Sequence, residues 1–146
     1  MTRLLLLLAL SLAAGGALAQ PACPANGREL PAGALYGQWE ARIEGVPGIA
    51  RVQLARHPDY EGVRGTITRE SGAKPPSVAQ LAGDIDDEGL LSIDESMDGR
   101  AISGNWAGTL QPRSCGREFR GTWRNAANDS THPFVLTKTG AMEGKQ

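Results

Sequence analysis

One pattern, an apolar residue, any residue, a glycine, any residue and a second apolar residue, recurs along this chain and constrains its fold more than any other feature. It is found at residues 35–39, 63–67, 81–85, 102–106 and 119–123. Alternation of this kind has the period of a β-strand with one buried face. It extends from Ile102 to Leu110, with Gly104, Trp106 and Gly108 on the same face. The pattern predicts an all-β protein.

Three further stretches have strand-like alternation without the central glycine. They are residues 50–54, 90–95 and 134–137. No segment has the apolar stripe and the two end caps of an amphipathic helix. The sequence therefore predicts eight short strands.

Turn signals predict how these strands connect. Asp98-Gly99 is a strong signal for a two-residue type I′ hairpin turn, and Asp87-Glu88-Gly89 suits a slightly longer loop. Antiparallel strands about ten residues apart form a meander, and eight of them can close into a small up-and-down barrel. Glycines within the strands favour closure because they permit sharp coiling. A two-sheet β-sandwich is the alternative fold.

The N-terminus has the three parts of a secretory signal peptide. Met1-Thr2-Arg3 is positively charged, residues 4–12 are apolar, and Ala17-Leu18-Ala19 is a cleavage site with small residues. We expect residues 1–19 to be removed and the product to be exported, to the periplasm or outside the cell. The apolar run is too short for a membrane span.

The two cysteines predict how the rest of the chain is organised. In an exported protein, Cys23 and Cys115 are expected to form a disulfide, which removes both thiols as nucleophiles. We predict a proline-rich arm at 20–34 that this bond ties down, a barrel domain at 35–140 and a flexible tail at 141–146.

Charge is nearly balanced once the signal peptide is removed. The remaining chain has 14 basic residues (15 less Arg3) against 16 acidic ones, a formal net charge of −2. It has no basic stripe with interleaved aromatic residues, so we expect no nucleic-acid partner. Polar residues at the alternate strand positions favour a monomer.

The segment DIDDEGLLSIDE, residues 84–95, fits both a calcium loop and a β-hairpin. Asp84, Asp86, Glu88 and Glu95 occupy ligand positions of an EF-hand loop. An EF-hand needs a helix on each side, whereas the flanks here have the pattern of strands and turns. We favour the hairpin and predict no metal site.

No group of residues in the sequence has the composition and spacing of a catalytic site. His57 and His132 each precede a proline, which places them in extended or turn segments. Asp84, Asp86, Asp94 and Glu95 are candidates for an acid–base pair, but the even-numbered ones share the face opposite Ile85 and Ile93, expected outside the barrel. We predict a protein that is not an enzyme and has no cofactor.

Gly37-Gln38-Trp39 opens the first predicted strand. A Gly-x-Trp at this place in an exported eight-stranded meander resembles the small up-and-down barrels, the lipocalin-like and avidin-like proteins. The resemblance implies that Trp39 packs across one end of the barrel and that a central cavity opens at the other. It implies ligand binding by analogy only, because the polar pocket residues of avidin have no counterparts here.

The three tryptophans give the most specific functional hint. Trp39, Trp106 and Trp123 each lie two residues after a strand glycine, and they could line one level of the barrel if their strands align. Together with Gly104 and Gly121 they are the predicted ligand-binding residues. The alternative is that they fill the core of a small protein.

The predicted function is binding of a small apolar or aromatic ligand in a barrel cavity. The alternative is a periplasmic inhibitor or interaction protein that binds a protein partner through its loops or its N-terminal arm. Residues 70–78 and 111–116 are the candidate loops.

Overall fold

A computed structural model describes residues 22–141 as an eight-stranded closed barrel. Each strand pairs antiparallel with the next, and the eighth pairs with the first, so the predicted up-and-down barrel is confirmed. The predicted signal peptide and all but the first residue of the predicted tail lie outside the described residues. The strands are β1 (Gly37–Ile43), β2 (Ala50–Arg56), β3 (Val63–Ser71), β4 (Lys74–Ile85), β5 (Leu90–Ser96), β6 (Gly104–Leu110), β7 (Glu118–Asn125) and β8 (Thr131–Gly140).

Side chains fill the inside of the barrel. Period-two alternation turns every second residue inward, as the burial of β1, β5 and β6 shows. Burial of each large apolar side chain contributes roughly 1.5–3 kcal/mol. The largest fully buried side chains are those of Trp39, Phe119, Leu54, Ile67, Leu91 and Val63.

The meander gives the barrel two distinct ends. The arm end has the N-terminal arm, residues 22–36, and the β2–β3, β4–β5 and β6–β7 loops. The hairpin end has the other four connections, including the β3–β4 turn. In the described part of the chain, no helix is long and apolar enough to cross a membrane.

The arm closes the arm end. The predicted disulfide is confirmed: Cys23 and Cys115 are bonded, with their Cα atoms 4.6 Å apart. Two short 3₁₀ turns follow, Gly27–Glu29 and Ala32–Leu35. Leu35 is buried, and its carbonyl oxygen accepts a hydrogen bond of 2.9 Å from the indole nitrogen of Trp39. Trp39 thus packs at this end, as the resemblance implies.

Residues 84–95 form the predicted hairpin, with strands on both sides. The turn is held by Asp86, whose Oδ1 accepts hydrogen bonds from the backbone N–H groups of Glu88 at 3.0 Å and Leu90 at 2.9 Å. Its own N–H donates to the carbonyl oxygen of Leu90 at 3.0 Å. The side chain of Asp86 therefore stabilises the turn from within.

The connection between β5 and β6 differs from the predicted two-residue turn. The Asp98 carboxylate accepts hydrogen bonds from the N–H groups of Ala101 and Arg100, and this folds residues 97–103 into a longer loop. These bonds also lower the pKa of Asp98. Ile102, predicted to lie on the buried strand face, is exposed in this loop, and β6 begins at Gly104.

Residues 70–78, predicted to be a binding loop, lie mostly in the β3–β4 hairpin. β3 ends at Ser71 and β4 begins at Lys74, so the connection is only Gly72-Ala73. β5 pairs with β4 from Gln80 onward. Pro75 and Pro76 precede that pairing, on a stretch where a strand tolerates proline.

At Gly121, two neighbouring strands of the barrel approach each other closely. It lies opposite Gly108, and a Cβ atom at Gly121 would overlap the carbonyl oxygen of Ala107 and come within 2.5 Å of the Gly108 Cα. We expect Gly121→Ala to lower the free energy of unfolding by about 3 kcal/mol, because only backbone movement relieves the overlap.

The matched control is Gly33→Ala in the arm, where the added Cβ would meet only the Tyr36 ring, at 3.5 Å. We expect this change to stay within about 0.5 kcal/mol. Urea unfolding of both variants measures the difference. Equal effects at the two sites would show that the barrel wall can relax around Gly121.

Candidate functional site

A carboxylate is buried inside the barrel at Glu95. Its β5 neighbours Leu91 and Ile93 point inward, and two residues further on Glu95 does the same, with 2% of its surface exposed. A buried charge costs several kcal/mol unless it is paired and hydrogen-bonded. Glu95 must therefore have partners within the barrel.

Three side chains from three other strands supply them. The Arg69 guanidinium binds in a bidentate manner, Nη1 to Oε1 at 2.6 Å and Nη2 to Oε2 at 2.9 Å. The indole nitrogens of Trp106 and Trp123 donate to Oε2 at 2.9 and 3.2 Å. We call these four residues the Glu95 cluster.

Strand register brings the cluster together. Trp106 and Trp123 are a direct cross-strand pair, and Glu95 lies opposite Gly104. A Cβ atom at Gly104 would lie 2.5 Å from the Trp123 indole nitrogen and 3.3 Å from Glu95 Oε2. The space left by Gly104 is thus taken by the Trp123 ring, and only glycine fits there.

Arg69 lies over the cluster at the hairpin end. It is two residues from the end of β3, and 20% of its side chain is exposed, against 3% for Glu95. The centre of its guanidinium is 5.6 Å from the centroid of the Trp123 ring, within the range of a cation–π contact. Arg69 therefore separates the buried carboxylate from solvent.

The structure brings three of the five predicted ligand-binding residues together. Trp106, Trp123 and Gly104 meet at the Glu95 cluster, whereas Gly121 lies in the barrel wall opposite Gly108. Trp39 lies at the arm end against Phe119, with ring centroids 5.8 Å apart. The three tryptophans therefore do not lie at the same height along the barrel axis.

Sequence reasoning named Glu95 only as a calcium-loop or acid–base candidate, and it missed Arg69. The strand pattern contains a signal for both residues. Glu95 lies two positions after the buried Ile93, and Arg69 lies two positions after the buried Ile67, so each is expected to point inward. A charged residue at an inward position predicts a partner in the barrel. The alternation of each strand was sufficient to find both.

A small void lies inside the barrel, between residues that the structure describes. Its volume is about 10 Å³, close to the space that one water molecule needs. It lies beside Trp106 and is lined by Val52, Leu81, Leu91, Ile93, Trp106 and Leu136.

A much larger cleft lies at the arm end, between the arm and two loops. Its volume is about 590 Å³. We call it the arm cleft. The arm contributes Gly27, Arg28, Leu30, Pro31, Leu35 and Tyr36, and the β2–β3 and β4–β5 regions contribute Glu61, Gly62, Val63, Asp84, Ile85, Asp86 and Asp87.

Contacts of the arm define the shape of this cleft. Gly27 lies against the backbone of Gly89 in the β4–β5 turn, so closely that a Cβ atom would overlap the Gly89 carbonyl oxygen. Lys138 Nζ donates to the carbonyl oxygen of Ala34 at 2.7 Å. Burial and then the nearby Arg117 lower the pKa of Lys138. The arm is therefore fixed at several points along its length.

The rim of the arm cleft is negatively charged. Four acidic residues, Glu61, Asp84, Asp86 and Asp87, and one basic residue, Arg28, are among those that line it. Next to the rim, burial raises the pKa of Tyr60, and the carboxylates of Asp84 and Asp94 raise it further. A cationic group is therefore favoured at this rim and an anionic one disfavoured.

The two histidines lie at opposite ends of the barrel. His57 stacks on Tyr60 with ring centroids 3.8 Å apart, at the arm end. His132 lies at the hairpin end, where its Nδ1 is 3.0 Å from the carbonyl oxygen of Glu44. Within residues 22–141, no three His, Cys, Asp or Glu side chains converge in a way that would hold a metal ion.

Comparison with known proteins does not place the chain in a family. No family model matches it, and no curated protein is significantly similar to it.

Proposed function

We propose that this chain is an exported, non-catalytic binding protein that holds a small organic ligand in the arm cleft. The observation that carries the proposal is the cleft itself, because a volume of about 590 Å³ lies within the usual range for small-molecule sites. The barrel then serves as a rigid support for the loops and the arm that form the site.

The lining of the arm cleft suggests the chemistry of the ligand. Leu30, Leu35, Tyr36 and Ile85 offer apolar and aromatic surface. Carboxylates at the rim favour a positive charge on the part of the ligand that stays near solvent. The expected ligand is therefore an organic amine with an apolar or aromatic body.

Native mass spectrometry of the gently purified protein, with the same sample denatured, tests this proposal. We expect a discrete organic adduct that is lost on denaturation. Replacing Glu61 and Asp87 together with arginine should weaken its binding by about tenfold, or roughly 1.4 kcal/mol, because both side chains are exposed at the rim.

Glu40→Arg is the matched control, since Glu40 is an exposed carboxylate on the outer face of β1. It should leave the adduct unchanged. A protein that carries no adduct and binds none of a panel of apolar amines would contradict the proposal.

A ligand at the Glu95 cluster, at the hairpin end of the barrel, is the second candidate, favoured by the meeting of Trp106, Trp123 and Gly104 around Glu95. Its adduct would survive the changes at the rim of the arm cleft and be lost on Trp106→Phe in a protein that stays folded. The same experiment therefore distinguishes the two sites.

A further inference from the structure

In the Glu95 cluster, three side chains surround a fourth as a binding site surrounds its ligand. The group inside it is a guanidinium, and it belongs to the chain's own Arg69. Arg69 enters from the hairpin end, and its side chain is the most exposed of the cluster. The arm cleft is at the opposite end of the barrel and contributes no residue to this cluster.

The arrangement around this guanidinium is more specific than burial of an ion pair requires. Glu95 binds it through both carboxylate oxygens, which matches the planar fork of a guanidinium. The Trp123 ring faces it, and the indole N–H groups of Trp106 and Trp123 hold the carboxylate in position. Carboxylate and aromatic face together select a planar cation.

Stability alone does not account for this cluster. Replacing a buried ion pair with apolar residues of similar volume is often neutral or stabilising. The interior of this barrel is otherwise apolar, and Glu95 is the one buried charged residue among those described. Because burying this charge costs free energy, we infer that the cluster serves to recognise a ligand.

We propose that the Glu95 cluster binds small alkylguanidinium ligands, which enter at the hairpin end and take the place of the Arg69 side chain. Arg69 then acts as a tethered competitor. It swings into solvent when a ligand binds, while Glu95, Trp106 and Trp123 stay in place. The apparent affinity for the ligand is the intrinsic affinity multiplied by the fraction of time that Arg69 spends outside the site.

NMR of the wild-type protein with ¹⁵N-labelled indoles tests this directly. Propylguanidinium should cause saturable shifts in the Trp106 and Trp123 indole signals. The Trp39 indole donates to Leu35 at the other end, so its signal should not move and serves as an internal reference. Propylurea, which has the same shape without the charge, should shift none of them.

Arg69→Ala should bind propylguanidinium at least about tenfold more tightly than the wild type, since the competitor is gone. In the double variant Arg69→Ala, Glu95→Gln, this gain should disappear because the carboxylate is absent. If Arg69→Ala does not fold, the wild-type titration still decides the question. Unmoved Trp106 and Trp123 signals at saturating propylguanidinium, or equal shifts with propylurea, would overturn the proposal.

Discussion

Arg69→Ala is expected to lower the free energy of unfolding by about 3–5 kcal/mol, because it leaves a buried carboxylate without its charged partner. Glu95 would keep only the two indole N–H groups of Trp106 and Trp123 as hydrogen-bond donors within the barrel. Urea unfolding followed by tryptophan fluorescence measures the loss. Guanidinium chloride is unsuitable as the denaturant, since its cation is a ligand of the proposed site.

The barrel offers a matched control in a second arginine–glutamate pair. Arg51 and Glu70 are 3.7 Å apart, with 76% and 64% of their side chains exposed. An exposed pair contributes at most about 1 kcal/mol, so Arg51→Ala should have little effect. Equal losses at Arg69 and Arg51 would contradict the structural importance of the buried pair.

Replacing both members of the buried pair separates the cost of an orphaned charge from the value of the pair. The double variant Arg69→Met, Glu95→Leu keeps most of the volume and removes both charges. We expect it to lose clearly less stability than Arg69→Ala, because no buried charge is left without a partner and only the indole N–H groups of Trp106 and Trp123 lose their acceptor. A loss as large as that of Arg69→Ala would mean that the pair is needed for the fold, and it would weaken the argument that it serves recognition.

The strands of this barrel could be predicted because each one carries its own signal. Alternation shows which residues turn inward, and the segment around Trp106 and Gly108 needs no information from elsewhere in the chain. The short loops then leave few ways to join eight such strands. The Cys23–Cys115 bond followed from the cysteine count and the predicted compartment.

The Glu95 cluster and the arm cleft could be predicted less completely than the strands, because each is formed by residues far apart in sequence. Arg69 and Glu95 are 26 positions apart and meet only when β3 and β5 curve around one interior. The longer loop at Asp98 arises from side-chain hydrogen bonds that compete with a tight turn. The arm cleft forms between the arm and two loops that are far from it in sequence, and the disulfide is one of the contacts that hold the arm there.

Removing the disulfide is expected to have the second large effect. The bond joins residues 92 positions apart, and closing a loop of that length stabilises the folded state by roughly 4 kcal/mol through the entropy of the unfolded chain. The double variant Cys23→Ser, Cys115→Ser should lose this amount in urea unfolding. The wild type in reductant should match it, whereas reductant should not change the variant.

The same variant should change ligand binding at the arm end of the barrel and leave binding at the hairpin end unchanged. Without the bond, the arm keeps its contacts at Leu35 and Lys138 but loses its anchor on the β6–β7 loop. Ligand binding in the arm cleft should therefore weaken, while the response of the Trp106 and Trp123 indole signals to propylguanidinium should persist. Unchanged binding in the arm cleft would show that Leu35 and Lys138 suffice to position the arm, and that the bond acts on stability alone.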